Sequence, residues 1–283
     1  MQPLESILSR WREKLVPLYD SHEAEQVIFL VMEEVMKFRK IDLSLRKDEI
    51  IALPMQMCLE AILQKLLEGV PVQYVLGFAW FDGLKVEVNS SVLIPRQETE
   101  ELVTWIAKEI EAHGNVASVL DVCSGSGCIG LALKHHFTEI NVYGIDVSDE
   151  AIEIAKRNSL KLNLQEEFFK EDVLSLEKLP VDVDLIVSNP PYVKQSESKL
   201  MHHRVLQFEP HLALFVPDAE AIIFYRKIAS LAKSGLKAGG QLYFEINEAH
   251  GEEVVSMLSS LGFRNIELRK DLNGKFRMIR AVK

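Results

Sequence analysis

The run Asp184-Leu185-Ile186-Val187-Ser188-Asn189-Pro190-Pro191-Tyr192 ends an apolar stretch in residues able to do chemistry. Two consecutive prolines fix φ at about −65° and remove two N–H donors, and the following proline pushes Asn189 toward an extended conformation. The resulting loop is stiff and rich in acceptors, with free carbonyls and Asn189 Oδ1. Such a notch suits a planar NH₂ group, which offers two donors, and Tyr192 can supply an aromatic wall. An amide or aromatic amine is a poor nucleophile because its lone pair is delocalised. Hydrogen bonds from its two N–H groups to Asn189 Oδ1 and the Pro190 carbonyl orient the nitrogen and favour pyramidalisation. They strengthen as positive charge develops there. A rigid proline turn would explain the prolines, but neither Asn189 nor Tyr192.

A second motif, Val119-Leu120-Asp121-Val122-Cys123-Ser124-Gly125-Ser126-Gly127-Cys128-Ile129-Gly130, passes from a strand through a glycine turn into a helix. Gly125, Gly127 and Gly130 match the dinucleotide fingerprint, in which glycines let the backbone approach a ligand. A phosphate-cradling P-loop needs Lys-Ser or Lys-Thr where this chain has Leu131-Ala132. A dinucleotide would set its pyrophosphate against the loop, where Asp121 at the strand end would repel it. S-adenosylmethionine (SAM) carries a sulfonium and an α-ammonium that an acid attracts, so electrostatics favours SAM. Asp146, about twenty residues further on, is placed to accept from ribose hydroxyls. Glu171-Asp172-Val173 ends the next strand, where SAM enzymes read the adenine amine. Each acid alone could be a helix cap. Three at successive strand ends beside one crevice belong together. Positioning a held nitrogen against the methyl of the sulfonium then supplies much of the acceleration. No strong base is needed, because an N-methylated, N-protonated amide is very acidic.

These residues need strands to carry them. From about residue 98 short apolar runs alternate with helical segments: strands over 117–122, 141–147, 167–172, 183–188 and 241–246, and helices near 128–136, 149–160 and 219–233. That alternation predicts right-handed crossovers and a mostly parallel, doubly wound sheet. A terminal hairpin over 264–268 and 276–282, turning at Asn273-Gly274, brings the strands to seven. The first seventy residues read as a helical bundle, with a helix capped at Ser21 and another over 54–67, Pro54 in its first turn and Gly69 beyond its end. The stretch Tyr74-Val75-Leu76-Gly77-Phe78-Ala79-Trp80-Phe81, a turn at Asp82-Gly83, and Leu84-Lys85-Val86-Glu87-Val88 resemble a β-hairpin. The expected organisation is a helical domain over 1–71 for partner recognition or support (substrate docking, on the family resemblance given below), a hairpin connector over 72–95 and an α/β, Rossmann-like methyltransferase domain over 96–283.

The 283 residues are 48% hydrophobic and 26% charged, which excludes disordered and collagenous classes. Three cysteines (Cys58, Cys123, Cys128) without a Cys-x-x-Cys pair point to reduced thiols in a cytoplasm. No apolar stretch reaches membrane-spanning length, and the start lacks the basic-then-apolar layout of a signal peptide, so no membrane partner is expected. A formal net charge of −10 argues against a nucleic-acid substrate and for a protein or small molecule. The pairs His135-His136 and His202-His203 lack the i,i+4 spacing of helical metal ligands, so no metal is expected. Cys123 and Cys128 are read as small packing residues.

The chain resembles the HemK-type family of bacterial peptide chain release factor glutamine methyltransferases. The likeness is carried by Pro71-Val72-Gln73-Tyr74-Val75-Leu76-Gly77, Leu93-Ile94-Pro95-Arg96-Gln97-Glu98-Thr99-Glu100, the loop from Asp121 to Gly127, and Ser188-Asn189-Pro190-Pro191-Tyr192-Val193. Glu209-Pro210-His211-Leu212-Ala213-Leu214 and Phe224-Tyr225-Arg226 also fit. The resemblance implies methyl transfer from SAM to the side-chain amide of the glutamine in the Gly-Gly-Gln motif of release factors. It implies that Asn189, Pro190, Pro191 and Tyr192 hold that glutamine, with Asn189, Pro190 and Tyr192 catalytic. Cys123, Ser124, Gly125, Ser126, Gly127, Asp146, Asp172 and Val173 would hold SAM, with Asp121 and Asn189 beside it. Gln97 stands where the family usually has a second proline, and Cys123 where it usually has glycine. Cys123 is shared with ribosomal-protein glutamine methyltransferases, which form one alternative. A methyltransferase acting on exocyclic amines of nucleic acids is another, and a SAM- or NAD-binding module without catalysis a third.

Overall fold

Leu8 and Trp11 on one segment, and Ile28, Val31 and Met32 on another, recur at helical spacing and meet in one core. The computed structural model describes residues 1–114 and 116–283 and divides the chain into two compact units, Met1–Gly77 and Phe78–Lys283. The first unit holds helices α1 (Leu4–Leu15), α2 (Ser21–Met36), α3 (Lys40–Leu45), α4 (Leu53–Leu67) and α5 (Val72–Leu76). The cap of α2 is Asp20 and not Ser21: the Asp20 carboxylate accepts from Glu23 N–H at 2.8 Å. Residues 74–76, expected in a strand, lie in α5, which Gly77 closes at φ 78°. So short an apolar run does not separate helix from strand. Packing of Val72, Val75 and Leu76 onto the helical core selects the helix.

The second unit opens with β1 (Phe78–Phe81) and β2 (Leu84–Glu87), joined by Asp82 and Gly83 at φ 50° and 77°, the positive values a tight hairpin turn demands. The hairpin is built into this unit and does not stand apart as a connector over 72–95: Glu87 N–H donates to Asn158 Oδ1 at 2.6 Å. Then follow α6 (Gln97–His113), β3 (Ser118–Val122), α7 (Cys128–His136), β4 (Asn141–Asp146), α8 (Asp149–Leu162), β5 (Glu166–Lys170) and β6 (Val183–Ser188). The remainder is β7 (Val193–Lys194), α9 (His203–Phe208), β8 (Phe215–Val216), α10 (Ile223–Gly235), β9 (Leu236–Glu245), α11 (Gly251–Ser260), β10 (Arg264–Lys270) and β11 (Phe276–Val282).

Seven of these strands form one sheet in the order β10-β11-β9-β6-β3-β4-β5. Strands β9, β6, β3, β4 and β5 are parallel, and β11 runs antiparallel to both neighbours. This is the α/β, Rossmann-like architecture expected. Strand β9 begins at Leu236 and not near 241, because Gly239 (φ 77°) and Gly240 carry an irregularity where its register with β6 shifts. After β3 the chain builds outward through β4 and β5, then returns to lay β6 on the other side of β3. The carboxyl ends of β3 and β6 therefore bound the crevice at which such sheets bind ligands.

Candidate active site

The loop between β3 and α7 turns at Cys123, Gly125 and Gly127, with φ of 63°, 55° and 78°. Beyond its chain neighbours, no heavy atom of the described residues lies within 4 Å of where a Cβ on Gly125 would stand, so the backbone there faces open space. At Gly130 a Cβ would collide with Glu166 Oε1, so this glycine lets α7 lie close against the start of β5. Cys123 holds a left-handed conformation that costs a side-chain-bearing residue roughly 1–2 kcal/mol. Burial keeps its thiol well above its ordinary range and pushes Cys128 up to about 12, so both are neutral packing groups at physiological pH. Asp146, at the end of β4, braces the loop: Oδ2 accepts from Gly125 N–H at 2.9 Å and Oδ1 from Ser148 N–H at 3.0 Å. Burial raises its pKa, against those two bonds.

Asp121 does not face the crevice, and the electrostatic role expected of it there is corrected. It is 0% exposed, Oδ2 accepts from Gly130 N–H at 3.2 Å, and Oδ1 has no partner among the described residues. Burial pushes its pKa up to about 8, so near neutrality it is largely an uncharged acid bracing the loop from beneath. Asp172 is exposed, and its oxygens are engaged locally by Leu174 N–H at 3.0 Å and the Ser175 hydroxyl at 2.6 Å.

At the end of β6, Asn189 Nδ2 donates to Thr99 Oγ1 at 3.2 Å. Thr99 donates in turn to Glu245 Oε2 at 2.5 Å, and Tyr192 donates to Glu245 Oε1 at 3.0 Å. Glu245 closes β9 and is 1% exposed. Burial raises its pKa, while the two hydroxyls and Arg277 favour the ionised form. Burial also holds the Tyr192 phenol well above its ordinary range, with the Glu245 charge adding to it. Sequence reasoning missed Glu245 altogether and gave Thr99 no role. Their partners lie 146 and 90 residues away along the chain, beyond any local signal.

One cavity of about 430 Å³ gathers most of the expected residues: Cys123, Ser124, Gly125, Ser126, Asp146, Asp172, Val173, Asn189 and Pro191 line it. Asp121, Gly127, Pro190 and Tyr192 do not line it. A Cβ on Gly127 would meet Phe168 at 3.1 Å and Ala155 at 3.2 Å, a tight fit at a φ of 78° that side-chain-bearing residues rarely adopt, and Tyr192 packs its ring against the core beside the sheet. The aromatic wall expected of Tyr192 is therefore not found at that residue, whereas Phe224 does line the cavity. Pro95, Arg96 and Thr99 come in from one side, Pro210 and Leu212 from another. Arg96 donates twice to the buried Glu209 carboxylate, at 2.6 and 2.7 Å. The hydroxyls of Ser124 and Ser126 are buried, and that of Ser124 has no partner among the described residues. The open backbone at Gly125, these hydroxyls, Asp146 and the apolar Val147, Val173 and Leu174 fit a ligand that is part sugar, part purine and part amino acid. Among the described residues no group of three His, Cys, Asp or Glu could hold a metal ion, and no helix is long and apolar enough to cross a membrane.

Comparison with known proteins agrees with this geometry. Residues 98–212 match the Methyltransferase small domain and residues 6–77 the PrmC N-terminal domain. The release factor glutamine methyltransferase of Flavobacterium psychrophilum is 41% identical over 272 residues, covering 95% of each chain. That of Bacteroides thetaiotaomicron is 38% identical over 271 residues, covering 95% of this chain and 96% of the other. Among solved structures, a methyltransferase from Pyrococcus furiosus shares the fold at a TM-score of 0.51 and 18% identity, covering 71% of this chain and 89% of that one. With such identity maintained over nearly the full length of both relatives, the chain belongs to the release factor glutamine methyltransferase family.

Proposed function

We propose that this chain transfers a methyl group from SAM to the side-chain amide nitrogen of the glutamine in the Gly-Gly-Gln motif of peptide chain release factors, in the cytoplasm. The observation that carries the reading is a single cavity lined both by the glycine loop with Asp146 and by Asn189 with Pro191. SAM, when bound, supplies an electrophilic methyl on a sulfonium. Cys123, Ser124, Gly125, Ser126, Asp146 and Val173 would hold it. Asp146 offers acceptors at the end of β4 for the ribose hydroxyls, and Val173 with Leu174 an apolar face for the purine. Asn189 Oδ1 accepts one N–H of the substrate amide, and a carbonyl of the same loop would accept the other; Pro190, expected in that role, does not itself line the cavity. These acceptors orient the nitrogen and stabilise the positive charge that grows on it as the new C–N bond forms. The extra proton then leaves to water, since a protonated amide is strongly acidic. The helical unit, matching the PrmC N-terminal domain over 6–77, would dock the release factor.

Transfer of labelled methyl from SAM to purified release factor, ribosomal protein, DNA and RNA tests the reading. The expected result is label on the release factor alone, lost when its Gly-Gly-Gln glutamine is replaced by alanine. Asn189→Ala is expected to lower kcat about 10²- to 10³-fold with the fold intact. Label on ribosomal protein or nucleic acid and none on the release factor would overturn the assignment.

A further inference from the structure

We infer that Glu245 and Thr99 are positioning residues that set which end of the Asn189 side-chain amide faces the substrate. The inference deepens the proposed function and rests on it for the identity of the amide received. Its ground is proton counting. Both oxygens of the Glu245 carboxylate accept, Oε2 from the Thr99 hydroxyl at 2.5 Å and Oε1 from the Tyr192 hydroxyl at 3.0 Å. A hydroxyl has one proton, and with Glu245 ionised, the form that the two hydroxyls and Arg277 favour, Thr99 gives its proton to the carboxylate, so toward Asn189 it can only accept. The group facing it at 3.2 Å must then be Nδ2, which leaves Oδ1 on the other side of the planar amide. The two ends of an asparagine amide have nearly the same shape, so packing alone would select between them weakly. The carboxylate makes the selection through the hydroxyl.

A flipped Asn189 would present donors to a substrate NH₂ that has only donors to offer, and the notch would repel what it must hold. Glu245 is suited to this control because it is ionisable yet 1% exposed, and its strand is bonded directly to the strand that delivers Asn189: Ser188 on β6 pairs with Phe244 on β9. The same carboxylate fixes the Tyr192 ring, so one group steadies both ends of the Asn-Pro-Pro-Tyr loop. Asn247 Nδ2 adds a bond to the Tyr192 carbonyl at 3.3 Å.

Full-length wild type, Thr99→Val and Thr99→Ser provide the test. Valine keeps the shape and removes the hydroxyl, whereas serine keeps the hydroxyl. Thr99→Val is expected to lower kcat on release factor roughly 100-fold, the scale of a misplaced reacting group, with SAM affinity within about 2-fold of wild type. Thr99→Ser is expected to return kcat to within about 3-fold of wild type, which a purely volume-filling role would not produce. Exchange of the Asn189 side-chain amide protons, followed by NMR, gives a second readout independent of substrate. It is expected to be slow in wild type and Thr99→Ser and faster in Thr99→Val. Equal exchange in all three, or wild-type kcat in Thr99→Val, overturns the relay. If exchange differs as expected but wild type leaves release factor unmethylated, the substrate assignment fails and the relay stands. Glu245→Gln, neutral and of the same shape, gives the same exchange readout if Thr99→Val does not fold. Wild-type exchange in that variant overturns the relay as well.

Discussion

Burial, more than any sequence neighbour, governs Asp121. Its side chain lies wholly beneath the glycine loop, with one oxygen on Gly130 N–H and the other unpartnered among the described residues. In the unfolded chain such a carboxyl titrates at about 3.9. In the folded chain it holds its proton up to about 8. A folded-state pKa above the unfolded one means that the native state binds more protons through that window. Its contribution is therefore most favourable below about pH 4 and declines as pH rises toward 8, by at most about 1.4 kcal/mol per pH unit. Asp121→Asn cannot ionise and still offers Oδ1 to Gly130 N–H. Urea unfolding at pH 5 and pH 8 is expected to show a smaller loss of stability between the two for Asp121→Asn than for wild type. An unchanged difference would mean that Asp121 is already ionised in the native protein.

At the scale of elements, two segments far apart in sequence form one wall of the cavity because Arg96 and Glu209 join them. Glu209 follows α9, accepts both bonds from Arg96 at the start of α6, and also receives Ile94 N–H at 3.4 Å. Removing one member of a buried, hydrogen-bonded pair costs about 2–5 kcal/mol, and the partial exposure of Arg96 places this pair at the lower end. Glu209→Gln is expected to speed backbone hydrogen exchange over residues 209–214 and to weaken SAM binding several-fold, because Pro210 and Leu212 line the cavity. Arg96→Met is expected to do nearly the same, since it keeps an extended side chain and removes the single nitrogen, Nη2, from which both bonds leave. Unchanged exchange over 209–214 in both variants would show that the wall is held by other contacts. The segments around Arg96 and Glu209 were legible in the sequence as motifs, but their union was not, because 113 residues separate the partners. Strands β3, β4 and β6 and the glycine loop were legible because apolar runs, period and turn chemistry are local signals. Residues 74–76 of α5 read as strand because three apolar residues running into a hairpin carry too little period, and the strand-end position of Asp121 does not reveal which way its side chain turns.

For the whole molecule, a helical unit distinct from the catalytic one asks what it contributes to a reaction it does not perform. On α4, Leu53 and Met57 stand one turn apart, 57% and 66% exposed, and Ile50 just before the helix is 56% exposed. Neighbouring exposed apolar side chains at i,i+4 spacing give a surface that a protein partner can cover with a gain from burial. If this unit docks the release factor, binding energy gained there belongs to the whole protein substrate and is absent for a short peptide carrying only Gly-Gly-Gln. The double variant Leu53→Glu, Met57→Glu places charge on that face without disturbing a packed core. It is expected to raise KM for intact release factor roughly 10-fold, the scale of about 1.4 kcal/mol of lost contact, and to leave kcat near that of wild type. Toward a short Gly-Gly-Gln peptide the variant and the wild type are expected to have the same kcat/KM. A uniform fall on both substrates would trace the defect to the catalytic unit. No change on either would remove this face of α4 from docking.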